Sequence, residues 1–481
     1  SCQRVADSWR RVSCRFSPAQ AAAGDELAMT SAPEKSGTVA APEEKTVQRV
    51  LDSFVQEFPT PLGPEDSLPV RLQSPALSWE ELEGECAEMG LKLLRDRNLP
   101  PINGNGLLQL NLQATKIGGS KIQELVEYFA VKRILEGESV ARSFFNKLLG
   151  VCSDWMKELQ LLQLPKQYLK VSSYAIRNTR RKMEDRHVTL PEFNTLFGIE
   201  DEKERAYFAV FDGHGGVDAA IYAATHLHVN FAHQKMFLTQ PEEALRQAFK
   251  QTDEMFLQRA KRKKLRSGTT GVAALIVGDT LHVAWLGDSQ VMMIQQGLVV
   301  TLMDPHKPEK ESEKQRIEDL GGCVVFLGCW RVNGTLAVSR AIDIDQKPYV
   351  SGDADSASFK LNGTEDYIVL ACDGFFDGVE PSRVVDLVQE HLQENGGDGS
   401  TVAETLVAAA KEGGSSDNIT VVLVFLKDPQ DILKDSNLHM GIESTNQDSG
   451  CPQAKVNSEN SPPQLTTSTV NKDSQAEGQT G

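Results

Sequence analysis

Four carboxylates between residues 212 and 417 stand at the ends of apolar segments, each beside a glycine or another small residue. They are Asp212 in YFAVFDGHGG, Asp288 in HVAWLGDS, Asp373 in YIVLACDG, and Asp417, which leads into NITVVLVF. One carboxylate at a strand end is usually solvated, but several that converge at one sheet edge repel each other unless cations neutralise them. Oxygen-only ligands select hard ions, so the pattern predicts a Mg²⁺ or Mn²⁺ site.

Such a site would suit the hydrolysis of a phosphomonoester. Asp212 is the candidate bridging ligand, because the adjacent Gly213 lets a backbone carbonyl approach the ions as well. Two ions would polarise the phosphoryl oxygens and lower the pKa of a shared water. The phosphate needs a planar donor of two hydrogen bonds, and Arg180, four residues before Glu184, is the candidate. His214, two residues after Asp212, is the candidate general acid for the leaving alkoxide.

Two of these assignments have alternatives at the sequence level. Arg181 and Lys182 lie beside Arg180, so this segment could instead be a solvated basic turn. The residues Asn418, Ile419 and Thr420, which follow Asp417, could support that ligand through hydrogen bonds, but the sequence does not decide whether they do.

The charge of the chain excludes some classes of partner. There are 67 acidic and 50 basic residues, which gives a formal net charge of −17. A nucleic-acid binder needs a basic stripe, and an anionic membrane surface also attracts basic segments. We therefore expect neither partner. A phosphoprotein substrate would have to be captured by a local cationic site, because the overall field repels it.

The cysteines and the apolar segments bear on the cellular compartment. The eight cysteines show no paired spacing, which predicts neither a zinc site nor a disulfide framework. No apolar run reaches the roughly 18 residues of a membrane-spanning helix. We expect reduced thiols and a cytoplasmic protein, with the nucleus as a second location.

Composition and periodicity divide the chain into four segments. Residues 1–45 are expected to be a disordered or non-native N-terminal segment, and residues 428–481 a disordered acidic, polar tail. Residues 46–165 show helical patterns and form a candidate regulatory or interaction region. Residues 166–427 have short β-rich runs and would form the catalytic domain.

The helical region has three apolar stripes. The first runs from Val47 to Phe58, and the second belongs to a helix that we expect to open at Ser78 with Glu81 as a capping box. The second and third stripes comprise Leu82, Cys86, Met89 and Leu93, then Phe144, Leu148, Cys152, Trp155 and Leu159. We interpret these stripes as faces that pack on each other or on the next domain, with a dedicated partner groove as the alternative.

Residues 166–427 have the pattern of an antiparallel sandwich. Short β-rich runs are separated by turn pairs such as Gly278-Asp279 and Gln296-Gly297, which are typical of hairpins. Helical segments are expected at 242–262, 309–320, 381–393 and 401–411. Strands joined by hairpins, with helices in blocks, favour helices packed on an antiparallel β-sandwich over a doubly wound parallel sheet.

Seven motifs of this region, in the same order, resemble those of the metal-dependent type 2C protein serine/threonine phosphatases. They are RRKMEDR, YFAVFDGHGG, SGTTGVAALI, HVAWLGDSQ, RVNGTLAVSRA, LACDGFFD and SSDNIT. The resemblance implies an α+β fold, a four-layer αββα sandwich. It implies a binuclear metal site held by Asp212, the Gly213 carbonyl, Asp373 and Asp417, with Glu184 acting through water. It further implies that Asp288 belongs to a weaker third-ion position, that Arg180 binds phosphate and that His214 is the general acid.

A narrower resemblance joins the helical extension to AIRNTRRKMEDRHV. Both look like the calcium/calmodulin-dependent protein kinase phosphatases within that family. This implies phosphorylated protein kinases as substrates, of the calmodulin-dependent and PAK types. It also implies a guanine-exchange-factor partner for the N-terminal region.

One segment departs from the family pattern. The family has Ser-Arg-Ala-x-Gly-Asp, whereas here Ile342 is followed directly by Asp343, without the glycine. We expect altered loop geometry or weakened activity there, because the glycine of a turn often needs a positive φ. A catalytically weak adaptor that gathers kinases is therefore the alternative to an active phosphatase. A phosphodiesterase or nuclease is a third hypothesis, but it would need a basic track.

Overall fold

A computed structural model describes residues 42–70, 72, 74–97, 134–158, 169–199 and 201–435. The predictions for residues 1–41, for Leu159 and for the tail from 436 lie outside this range, as does the side chain of Trp155. None of the described helices is both long and apolar enough to cross a bilayer.

The helical region contains three helices and a short two-stranded sheet among the described residues. In chain order they are α1 (Pro42–Glu57), β1 (Ala76–Ser78), α2 (Leu82–Arg95), β2 (Ile134–Glu136) and α3 (Gly137–Glu158). All four apolar residues predicted for the second stripe are buried, and they share one core with Phe54 of α1 and Phe145 of α3. The stripes therefore pack on each other.

The second helix begins later than the sequence suggests. Ser78 pairs across β1 and β2 with Ile134, so the predicted start at Ser78 is wrong, and the helix opens at Leu82. The predicted contact of the capping box is nevertheless present, because the Ser78 amide donates to Glu81 Oε2 at 2.7 Å.

The rest of the described chain consists of fourteen strands and a set of helices. The strands are β3 (Lys170–Ile176), β4 (Arg186–Leu190), β5 (Arg205–Phe211), β6 (Gly213–His214), β7 (Gly268–Thr269), β8 (Gly271–Val277), β9 (Thr280–Leu286), β10 (Gln290–Gln295), β11 (Leu298–Thr301), β12 (Val324–Phe326), β13 (Trp330–Val332), β14 (Asp355–Lys360), β15 (Glu365–Ala371) and β16 (Ile419–Phe425). The helices are α4 (Phe193–Phe197), α5 (Asp218–Ala232), α6 (Pro241–Lys263), α7 (Glu311–Asp319), α8 (Asp373–Phe376), α9 (Pro381–Glu394) and α10 (Val402–Glu412).

Two five-stranded antiparallel sheets form the centre of this region. Their strand orders are β11-β10-β15-β16-β3 and β14-β9-β8-β5-β4. Alternate residues of β5 face opposite sides, so Phe208 lies in the core between the sheets and Phe211 lies under α5 and α6. Helices α9 and α10 cover the other sheet through residues such as Val388 and Leu406. This confirms the predicted four-layer αββα sandwich.

Local signals placed several of these elements and missed others. Gln296 and Gly297 have positive φ angles of 50° and 73°, as expected for a tight hairpin. Helix α5 was not predicted, because its residues are buried on nearly all sides and leave no amphipathic stripe. Residues 429–435, predicted to belong to the disordered tail, are helical, since Ile432 and Leu433 pack against the core beneath α9 and α10.

The helical region packs directly on α5 and α6. A Cβ on Gly84 of α2 would lie 2.5 Å from His226 Nδ1 and 2.8 Å from the Thr225 carbonyl oxygen, both of α5. Beside it, Arg259 donates to Glu85 at 2.7 Å, and Arg262 donates to Glu81 at 3.1 Å. We call these four charged residues the junction cluster. Through the junction cluster, α2 and the residue before it contact α6 of the catalytic region.

Candidate active site

The acidic cluster lies where strands of the two sheets end. Asp212 follows β5, and Asp373 follows β15 as the first residue of α8. Asp212, Cys372 and Asp373 each offer one potential ligand atom, and these atoms lie within 4.8 Å of one another. The structure thus brings together two of the carboxylates that the sequence analysis singled out.

Crowding makes the ionised forms of these acids unfavourable. Burial, reinforced by the charges of Asp373 and Asp185, raises the pKa of Asp212 well above its usual range. Burial and the charge of Asp288 raise the pKa of Asp373 to about 7. Burial also raises the pKa of Asp185 to about 6, although Thr420 donates a hydrogen bond to it. The cations beside this cluster therefore do not fully neutralise Asp212, Asp373 and Asp185.

The donor atoms of this cluster fit a hard divalent cation. Asp373 Oδ1 is buried and has no hydrogen-bond partner within the described part of the chain. The Cys372 thiol is occupied, because it accepts from the Thr420 amide at 3.2 Å and donates to the Asn418 carbonyl. Burial keeps the pKa of this thiol high, so it stays protonated. Carboxylate oxygens remain as the available ligands, and these suit Mg²⁺ or Mn²⁺.

Asp417 and Asp288 lie near this group, but side-chain cations hold their carboxylates. Arg180 pairs with Asp417, and Lys307 pairs with Asp288. A Cβ on Gly374 would lie 3.1 Å from the Asp417 Cβ, so Asp417 stands beside the backbone that follows Asp373. Lys307 was missed by the sequence analysis, because no local spacing connects it to an aspartate 19 residues earlier.

Asn418 and Thr420 fix the loop that carries Arg180 and Glu184. The Asn418 side chain donates through Nδ2 to the carbonyl oxygens of Arg177 at 2.8 Å and Lys182 at 3.0 Å. Its Oδ1 accepts from the backbone amide of Glu184 at 2.8 Å. Thr420 Oγ1 donates to Asp185 at 2.7 Å. The side chains of these two residues thus support the loop, and the backbone amide of Asn418 also donates to Asp417 Oδ1 at 2.7 Å.

Position 213 must be glycine for the loop that carries Arg180 and Glu184 to lie this close to it. A Cβ on Gly213 would overlap the carbonyl oxygen of Glu184. The Arg180 side chain is 58 % exposed, so its guanidinium stays open to solvent on one side. The loop therefore presents an accessible cation directly beside the acidic cluster.

His214 has a partner that the sequence analysis did not assign. Its Nε2 lies 2.9 Å from Oδ2 of Asp343, and the other oxygen of Asp343 accepts from the Gln346 amide at 2.9 Å. Burial alone would raise the pKa of Asp343, but the hydrogen bonds from His214 and Gln346 hold it below its ordinary value. The segment that lacks the family glycine therefore places an ionised carboxylate against His214.

Comparison with known proteins assigns the family. A family model described as Protein phosphatase 2C matches residues 169–419, more than half of the chain. The chain belongs to the protein phosphatase 2C family. Protein phosphatase 1F of Homo sapiens is 53 % identical over 452 residues, which cover 91 % of this chain and 97 % of that protein. Protein phosphatase 1E of Homo sapiens is 53 % identical over 378 residues, which cover 76 % of this chain and 49 % of that protein.

A solved structure shows the same fold. The C. elegans sex determining protein aligns with a TM-score of 0.63 and 23 % identity, over 81 % of this phosphatase and 96 % of that chain. Family membership makes the chain a protein serine/threonine phosphatase with phosphoprotein substrates, in a family that depends on Mg²⁺ or Mn²⁺. The hypothesis of a phosphodiesterase or nuclease is therefore wrong.

Proposed function

We propose that this phosphatase hydrolyses phosphoserine and phosphothreonine with two Mg²⁺ or Mn²⁺ ions bound at the Asp212–Asp373 cluster. The observation that carries the proposal is the buried oxygen of Asp373, which has no hydrogen-bond partner among the described residues and belongs to a carboxyl whose pKa is raised to about 7. A buried carboxylate oxygen without a partner is stabilised more by a divalent cation than by water, because folding has already removed its hydration.

The ligands would be Asp212, the Gly213 carbonyl, Asp373 and Asp417, with Glu184 acting through water. Asp288 would belong to a weaker third-ion position. When bound, the ions supply a hydroxide near neutral pH and polarise the phosphoryl oxygens. For Asp417 and Asp288 to serve as ligands, each must exchange its side-chain cation, Arg180 or Lys307, for the metal.

Arg180 would then be free to bind the phosphate. In the structure its guanidinium already holds one oxygen of an anionic group, Asp417 Oδ2, which stands in for a phosphate oxygen. Because Arg180 is more than half exposed, it can change partner without leaving a buried charge behind. His214 would protonate the leaving serine or threonine oxygen.

The test is turnover of a phosphothreonine peptide by the full chain with Mn²⁺, after removal of metal with EDTA, and by Asp373→Asn. We expect turnover only with Mn²⁺. Asp373→Asn should reduce kcat/KM by about 10³-fold, the equivalent of about 4 kcal/mol of transition-state stabilisation. Asp345→Asn is the matched control, because Asp345 is an exposed acid of the same domain. Metal-independent turnover would contradict the proposal, and inactivity of the intact chain would favour the adaptor alternative.

We further propose calmodulin-dependent and PAK-type protein kinases as substrates, a guanine-exchange factor as a partner of residues 46–165, and a cytoplasmic location that extends to the nucleus. The support is the extent of the similarity, since 53 % identity to Protein phosphatase 1F reaches well beyond residues 169–419. Dephosphorylation of autophosphorylated kinases, compared with an unrelated phosphoprotein at equal concentration, tests the substrate class. Equal rates would contradict it.

A further inference from the structure

The loop that contains Asp343 is fixed on both sides of this residue. Ile342 donates to and accepts from Thr269, with distances of 3.0 and 2.9 Å, in a bridge that continues the pairing of β6 and β7. The Asp343 residue is only 3 % exposed. Both of its oxygens are engaged, one with His214 Nε2 and the other with the Gln346 amide.

Gly268 makes this contact possible. It pairs with His214 between β6 and β7, and a Cβ at this position would overlap both His214 Nε2 and Asp343 Oδ2. The backbone therefore provides a slot in which imidazole and carboxylate meet. This arrangement uses the segment for which the sequence predicted altered loop geometry or weakened activity.

We propose that Asp343 is a positioning residue for the phosphatase reaction: it holds His214 through Nε2 and leaves Nδ1 as the nitrogen that gives up a proton. The inference rests on the proposed role of His214 as general acid. An ionised carboxylate only accepts hydrogen bonds, so Nε2 must carry the hydrogen in this contact. The carboxylate also stabilises the positive charge of the imidazolium before it donates.

The proton balance of the step follows from that tautomer. The hydroxide oxygen forms the new bond to phosphorus, and the bond from phosphorus to the serine or threonine oxygen breaks, with its electron pair on that oxygen. The oxygen takes the Nδ1 proton, and His214 remains neutral with its hydrogen on Nε2, still bonded to Asp343. A leaving group that is stable as an anion does not need this proton.

That difference between leaving groups provides the test. The substrates are a phosphothreonine peptide, whose alkoxide must be protonated, and p-nitrophenyl phosphate, whose phenolate is stable near neutral pH. We expect Asp343→Asn to lower kcat for the peptide at least about tenfold, a part of the 10²–10⁴ that a positioned acid contributes, and to leave kcat for p-nitrophenyl phosphate unchanged. Asparagine has one acceptor oxygen where Asp343 uses two, so it cannot accept hydrogen bonds from both His214 and Gln346.

Three further variants make the result specific. Asp345→Asn changes an exposed carboxylate two residues away and should behave as wild type on both substrates. Gly268→Ala forces the slot open and should reproduce the selective loss, which keeps the inference testable if Asp343→Asn fails to fold. His214→Gln should show the same selectivity. Mn²⁺ affinity measured by calorimetry should be the same for Asp343→Asn and wild type.

The outcomes separate this inference from the role on which it rests. The role of Asp343 alone would be overturned by the following combination. His214→Gln would lose activity only on the peptide, whereas Asp343→Asn and Gly268→Ala would lose activity equally on both substrates or not at all. An equal effect of His214→Gln on both substrates would overturn the general-acid role, and the inference with it.

Discussion

The junction cluster and the active site both hold acids away from water, but they are neutralised in different ways. At the junction, Glu81 and Glu85 are 1 % and 3 % exposed, and Arg262 and Arg259 lie within hydrogen-bond distance of them. At the active site, Asp373 keeps a buried oxygen without a hydrogen-bond partner among the described residues. The helical region is thus tied to α6 by charges within the chain, whereas the site needs cations from outside.

The arginines at the junction cluster and at the active site also differ in their exposure to solvent. The Arg259 side chain at the junction is 7 % exposed, whereas that of Arg180 at the site is 58 % exposed. A buried guanidinium cannot leave its carboxylate without exposing two uncompensated charges to a dry interior. An exposed guanidinium is hydrated and exchanges partners at little cost. We infer that the first arginine serves stability and the second serves binding.

Loss of the junction arginine should have the largest effect on stability. Arg259→Ala leaves Glu85 buried without its closest counter-charge, and we expect a loss of about 3–5 kcal/mol in the free energy of unfolding. Burial already raises the pKa of Glu85 with Arg259 present, so adding Glu85→Gln to this variant should recover part of the loss. Chemical denaturation of the full chain measures both. An Arg383→Ala control, which breaks an exposed pair with Asp386, should not change the midpoint.

Loss of the site arginine should affect binding, with stability unchanged. Arg180→Ala removes a charge-assisted contact of about 1.5–3 kcal/mol, so KM for a phosphothreonine peptide should rise about 10- to 100-fold. Arg181→Ala, a change in the exposed neighbour, should leave KM near that of the wild type. Equal effects of both substitutions would mean that this segment is only a solvated basic turn, which is the alternative that the sequence left open.

The pH dependence of metal affinity tests the acidic cluster of the active site. Because the pKa of Asp373 is raised to about 7, this carboxyl holds its proton in the metal-free protein at pH 6, and a cation must displace that proton. We expect Mn²⁺ affinity to fall as the pH is lowered from 8 to 6, with up to about a tenfold loss per pH unit for each proton displaced. Without metal, folding is favoured more by the protonated carboxyl, so stability from this group is lost as pH rises through 7.

Local patterns in the sequence predicted much of the fold. The hairpin at Gln296-Gly297 and the apolar runs of β8 and β16 could be located because strand, turn and strand are adjacent in the chain. The order of the motifs also identified Asp212 and Asp373. Helix α5 was missed, because a helix buried on nearly all sides has no amphipathic period.

The two unpredicted contacts that matter most here join residues that are far apart in the chain. His214 and Asp343 are 129 residues apart, and Arg259 and Glu85 are 174 residues apart. His214 could be singled out from its own segment, but the local sequence around Asp343, Arg259 and Glu85 does not indicate their partners. The sandwich and the packing of α2 against α6 bring the partners together, so no local spacing could have marked these pairs.

Calorimetric titration of the metal-free full chain with Mn²⁺ at pH 7.5 tests most directly whether the acidic cluster is a cation site. We expect at least two ions to bind the wild-type protein, and Asp373→Asn to lose at least one of them while keeping its fold. Asp345→Asn should bind as many ions as the wild type. Equal stoichiometry and affinity in Asp373→Asn and wild type would contradict the account, because the buried carboxylate whose Oδ1 has no hydrogen-bond partner among the described residues would then hold no metal.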